Sequence, residues 1–128
     1  MGPGVRVDRA RLSLLLATGL CCGAALAGQA DVVDAQIRPA ADGTFAFSAT
    51  VRHADTGWDH YADRWEVVAP DGEVLGTRVL WHPHVNEQPF TRSLDRVRIP
   101  PGIDRVTVRA GDSVHGFGGE TLPLVVPR

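Results

Sequence analysis

Five histidines are the chemistry-bearing residues of this chain, and two of them stand two positions apart. In WHPHVNEQPF, Trp81 to Phe90, His82 and His84 flank Pro83. A residue before proline is pushed toward extended backbone, and proline's own φ is fixed. Side chains two apart on an extended chain point the same way. Both imidazoles can therefore face one ion, and neutral imidazole is the commonest side-chain metal ligand. His115 in DSVHG or His60 in WDHY would supply a third ligand. Asp112, Glu87 and Asp59 would orient the rings by accepting their second N–H. An H-x-H pair is a weak motif, and a polar loop that binds nothing is the competing reading. On that reading His53 simply ends a strand.

The donor inventory narrows the ion. From residue 28 onward the chain has no Cys and no Met. That argues against a blue-copper site and against a Cu(I) thioether carrier. Imidazoles with carboxylate support suit Cu(II) or Zn(II). Asp55, Asp59 and Asp63 do not follow the alternating oxygen pattern of a calcium loop.

The same loops carry Trp58, Tyr61, Trp81, Phe90 and Phe117. Loop aromatics serve as recognition anchors. TGWDHY, with Trp58 and Tyr61, thus reads as a contact loop of a non-catalytic module for a protein or glycan partner. Trp81 and Phe90 are expected to pack inward beneath the loops instead. Catalysis is the weakest reading: His beside Asp suits acid–base work, but Ser113 has no motif that would make it a nucleophile.

These residues must be positioned by β-structure. TFAFSATVR puts Phe45, Phe47, Ala49 and Val51 on one face, the period of a half-buried antiparallel strand. VDAQIR offers Val33, Ala35 and Ile37; RWEVVA offers Trp65, Val67 and Ala69. EVLGTRVLW follows a tight PDG turn, Pro70 to Gly72, and predicts a hairpin. SLDRVRI ends with Val97 and Ile99 in phase, and DRVTVRA alternates Val106 and Val108. TLPLVV closes with Leu122, Leu124 and Val126, and Pro123 predicts an edge strand. No sustained helical period occurs. The expected fold is all-β, an antiparallel seven-stranded sandwich of immunoglobulin or fibronectin-III type, with Trp65 buried on the third strand.

Alternating strand direction sends successive connections to alternate ends. The odd connections, Pro39 to Gly43, Pro70 to Gly72 and Pro100 to Asp104, are short and hold no histidine. The even ones, His53 to Asp63, His82 to Phe90 and Gly111 to Gly119, are long and hold all five. The histidines are therefore expected at one pole, and loops on a rigid scaffold are where binding concentrates.

The first 27 residues read as an export signal. Arg6, Arg9 and Arg11 precede an apolar run from Leu12 to about Leu26, and Ala25-Leu26-Ala27 has the small-x-small form of a cleavage site. The run is too short to span a bilayer comfortably. Cys21 and Cys22 also open a lipoprotein reading, although Leu20 stands where a small residue is expected. Residues 28–128 then form a single domain, periplasmic or secreted, without thiols. They hold 10 Arg and 14 acids, a net charge of about −4, which argues against nucleic acid. The whole chain lacks lysine, a mark of a GC-rich bacterial genome.

VRHADTGWDHYADRWEVVAPDG, HPHVNEQPFTRSL and VRAGDSVHGFGG together resemble uncharacterised exported bacterial domains of the immunoglobulin/fibronectin-III kind. GDSVHGFGGETLPLVV is similar to the loop joining the last two strands of the periplasmic copper-resistance carriers, which are small β-sandwiches. That likeness covers under a fifth of the chain and implies copper binding with Asp112 and His115 in comparable places. Those carriers also use an imidazole at the mature N-terminus, whereas GQADVV, the predicted start here, has none.

Overall fold

A computed structural model describes residues 28–128 of the chain. The expected export signal, 1–27, lies outside the described residues. The described residues form β1 (Asp31–Pro39), β2 (Phe45–Arg52), β3 (Ala62–Val68), β4 (Val74–Val79), β5 (Phe90–Val97), β6 (Arg105–Asp112), β7 (Gly116–Phe117) and β8 (Leu122–Val125). The three-stranded sheet runs β1-β2-β5; the other runs β4-β3-β6-β7, with β8 also paired to β6. All pairings are antiparallel. The expected all-β sandwich is what forms. The strand beyond the expected seven is the two-residue β7, a short return within the last long connection.

Period-two sequence drives the core. Phe45, Phe47, Ala49 and Val51 of β2 face Trp65 and Val67 of β3 and Val106, Val108 and Ala110 of β6 in one buried cluster. Trp65 is fully buried there, as its strand position implied. The PDG turn closes β3 onto β4 as expected. Ala69 N–H donates to Glu73 O at 2.8 Å, and Gly72 takes φ +96, open to glycine at no steric cost. β8, with Pro123, is bonded to β6 alone and so is an edge strand.

Two β-bulges shift the inward phase. In β1 the register slips between Val32 and Asp34, so Val32 is buried and Val33, expected inside, is exposed. A bulge places two residues opposite one, and that flips the faces beyond it. In β5 the register slips opposite Phe45 and Phe47, and Arg96 takes φ +58. The strand starts at Phe90, earlier than expected, and the bulge leaves Phe90 buried ahead of it and Val97 and Ile99 buried after it. Phe90 packs inward as anticipated; Trp81 does not, and is 75% exposed. β4 ends at Val79, and Leu80 takes the inward position, its N–H donating to Asp63 O at 2.9 Å. The next side chain then points out.

The left-handed conformation of Arg96 has a testable consequence. A β-branched side chain tolerates that region least. Arg96→Val is expected to lower stability by about 1–2 kcal/mol, and Arg96→Gly to keep or slightly raise it. Urea denaturation midpoints of the three proteins check this.

Candidate metal centre

The core alternation continues past the strand ends and there turns polar. On β2 the inward series 45, 47, 49, 51 leads next to His53; on β6 the inward series 106, 108, 110 leads to Asp112. Both are buried, one at the end of each sheet's central strand, and both lie at the same pole. The next inward position after His53 is Asp55, also buried.

Asp55 binds its surroundings through both oxygens. Oδ1 accepts the Ala62 N–H at 3.0 Å and lies 2.6 Å from His53 Nδ1; Oδ2 accepts the His84 N–H at 2.7 Å. With Asp55 accepting, His53 carries a proton on Nδ1, and Nε2 is the nitrogen aimed at Asp112. This is the carboxylate–histidine arrangement that fixes the tautomer of a metal-ligating imidazole.

His60 arrives by a tight return. Gly57 bridges His60, with His60 N–H donating to Gly57 O at 3.2 Å and Thr56 N–H donating to His60 O at 3.0 Å. Trp58 and Asp59 are thereby left at the tip, exposed, while the His60 ring folds back. Its Nε2 sits 3.3 Å from Asp112 Oδ1, and its ring meets His53 edge-on at 4.7 Å. His115 is placed by an Asx-type turn, in which Asp112 Oδ1 accepts the N–H groups of Val114 and His115 at 2.9 and 2.7 Å. Gly116, at φ +72, then reverses the chain into β7. His115 Nδ1 lies 3.1 Å from Asp112 Oδ1, and its ring is 5.0 Å from that of His60.

One atom from each of His53, His60 and Asp112 falls within 4.8 Å of the others. His53 Nε2 is 3.7 Å from Asp112 Oδ2. Ligands on a tetrahedral ion with bonds near 2.1 Å stand about 3.4 Å apart, so this cluster is close to ligating dimensions. The Gly28 carbonyl oxygen joins it, 3.0 Å from His53 Nε2 and 3.3 Å from His60 Nε2. In neutral His53 the Nε2 lone pair therefore faces a carbonyl and a carboxylate, all acceptors. Only a second proton or a cation satisfies it. Burial by itself would raise the Asp112 carboxyl, but the two N–H donors of His115 and Val114 and the His115 ring outweigh it and hold the group below its ordinary value. The His53 and Asp112 side chains are fully buried, while those of His60 and His115 are 23% and 35% exposed, so the cluster opens to solvent on one side.

The pole gathers the three long connections as the strand parity implied. Ser113 N–H donates to Tyr61 O at 2.9 Å, Tyr61 N–H donates to Ser113 Oγ at 3.1 Å, and His53 N–H donates to Gln88 Oε1 at 2.9 Å. Of the residues expected at a site, His60, His115 and Asp112 come together here. His82 and His84 pair with each other, ring centroids 4.7 Å apart, outside the His53–His60–Asp112 group. His82 is exposed, whereas the His84 ring stacks on Phe90 at 4.0 Å with neither nitrogen partnered. Glu87 binds Arg92 at 3.1 Å, and that hydrogen bond lowers its carboxyl from the ordinary value. Trp58 is 68% exposed and meets Tyr61 edge-on at 5.6 Å. His53 and Gly28 were the members not anticipated. An open groove of about 490 Å³ at the opposite pole, lined by Gly43, Glu73, Leu75, Arg98 and Ile99, holds no histidine.

Compared with known proteins, the chain is 42% identical over 94 residues to a protein of Halomicrobium mukohataei named "Putative lipoprotein". The match covers 73% of this chain but only 46% of that protein, so the chain spans under half the relative's length. No family model and no solved structure matches.

Two outcomes follow from this geometry. Asp55→Ala strands three buried donors and is expected to cost about 3 kcal/mol or more, measured by urea denaturation. Burial first, then the charges of Arg92 and His82, holds the His84 imidazole below its unfolded value of about 6.5. The unfolded chain then binds the extra proton, so this contribution is fully present above pH ~6.5 and is lost as pH falls below it. His84→Phe should therefore show a shallower loss of Tm between pH 7 and 5 than the parent, both metal-free.

Proposed function

We propose that this is an exported β-sandwich protein that holds one divalent transition ion, Zn(II) or Cu(II), for carriage or storage. His53, His60 and Asp112 are the ligands, with His115 beside them. The observation that carries the reading is the convergence of one ligand atom from each of His53, His60 and Asp112 within 4.8 Å of one another, beside the Gly28 carbonyl oxygen. Imidazole and carboxylate donors without sulfur suit either ion. Ligands rigidly buried on one side and partly exposed on the other favour reversible loading over a sealed structural site. Export is supported by the basic-apolar start of the sequence, and the name of the Halomicrobium mukohataei relative adds a cell-envelope lipoprotein as the form it takes. On that reading Cys21 or Cys22 is the lipidated residue.

Calorimetric titration of the metal-stripped protein with Zn(II) and Cu(II) tests the reading. The expected result is near-stoichiometric binding that falls at least about 100-fold in His53→Ala and in Asp112→Asn. His82→Ala/His84→Ala should bind as the parent does. Loss of binding in that double variant alone would move the site to the H-x-H pair, whose His84 nitrogens are buried without partners. Parent protein that binds neither ion would sink the metal reading. In that case the exposure of Trp58 and Trp81 favours a contact surface for a protein or glycan, abolished by Trp58→Ala with the histidines intact.

A further inference from the structure

The segment that leads into β1 runs through the candidate centre, and its path is tightly specified. Gly28 has φ +109, and a Cβ there would lie 2.7 Å from His115 Cε1. Only glycine lets the backbone turn its carbonyl onto His53 and His60 at that spot. Beyond it the segment lies against the loop between β7 and β8. A Cβ on Gly118 would meet Gln29 Oε1 at 2.5 Å, and one on Gly119 would collide with the Ala30 carbonyl. Ala30 is buried, Glu120 N–H donates to Asp31 Oδ1 at 2.8 Å, and Val32 N–H donates to Glu120 O at 2.9 Å. Two glycines thus form a track for the segment, and a third delivers its carbonyl.

We infer that Gly28–Asp31 is a metal-locked strap. The ion held by His53, His60 and Asp112 takes the Gly28 carbonyl oxygen as a further ligand, and metal occupancy fixes the segment in its track. The inference rests on the metal reading above and adds to it a regulation: Gly28–Asp31 is held in its track when the site is loaded and released from it when the site is empty. Linkage makes the effect reciprocal, so a strap displaced from its track must weaken metal binding by the same factor that metal strengthens docking. Without the ion, the carbonyl faces imidazole nitrogens only through shared protons, and among the described residues the strap has backbone bonds to the rest of the domain only from Asp31 onward.

Hydrogen-exchange mass spectrometry of the purified protein with and without Zn(II) reads the strap directly. Exchange at Gln29 to Asp31 should slow by at least about tenfold on loading. Gly119→Ala displaces the strap without touching any ligand and should weaken zinc binding by about tenfold. Gly102→Ala is the control: like Gly119 it has no left-handed φ, but it lies at the other pole with open space around it, and it should bind zinc normally. Zinc binding that requires Asp112 but leaves strap exchange unchanged, or that survives intact in Gly119→Ala, overturns the strap while leaving the metal site standing. Absence of zinc binding in the parent overturns both.

Discussion

The carboxylate of Asp55 is the tie on which the long-loop pole depends. It draws together the ring of His53, the first amide of β3 at Ala62, and the amide of His84 in the connection between β4 and β5. Each of those donors is buried, and an unsatisfied one costs about 1–3 kcal/mol. The three can be satisfied at once only if the two loops approach each other in one register. The orientation of His53 follows, because its Nδ1 is committed to Asp55. The inward aim of Nε2, and hence the convergence on Asp112, is the result.

Much of this was legible in the sequence, because burial in a sandwich has period two. The alternation of β2, β3 and β6 placed Phe47, Trp65 and Val108 correctly, and strand parity placed all five histidines at one end. The bulges were not legible. An extra residue in β1 or β5 leaves no mark beyond the pattern it interrupts, so Val33 was assigned inward. His53 was missed for a different reason. The apolar alternation ends at Val51, yet one more inward step lands on His53 and the next on Asp55. Parity carried the same unused signal for Gly28: the segment before the first strand occupies the same pole as the second, fourth and sixth connections. The stiff geometry around Pro83 was read from real constraints, yet which face of that loop turns inward depends on Phe90, a tertiary partner the local sequence does not announce.

The glycines show how local freedom and close packing differ. Gly116, Gly118 and Gly119 look alike in the sequence, a run that would let a loop bend. In the structure only Gly116 uses a conformation that favours glycine. The other two are small because Gln29 and Ala30 lie where their side chains would be.

Asp112 ends the central strand of one sheet, His53 directly follows the central strand of the other, and they are 59 positions apart in the chain. A bond through a shared ion would therefore close a loop comprising nearly three-fifths of the described domain, in a segment that has no cysteine to do so covalently. In the chain-entropy account, a cross-link of that span restricts the denatured ensemble by about 4 kcal/mol. Pulling the two sheets apart would then start from the short-loop pole, where apolar packing, turns and the hydrogen bonds of Arg128 to the carbonyls of Ile99, Pro100 and Ile103 resist it without an ion.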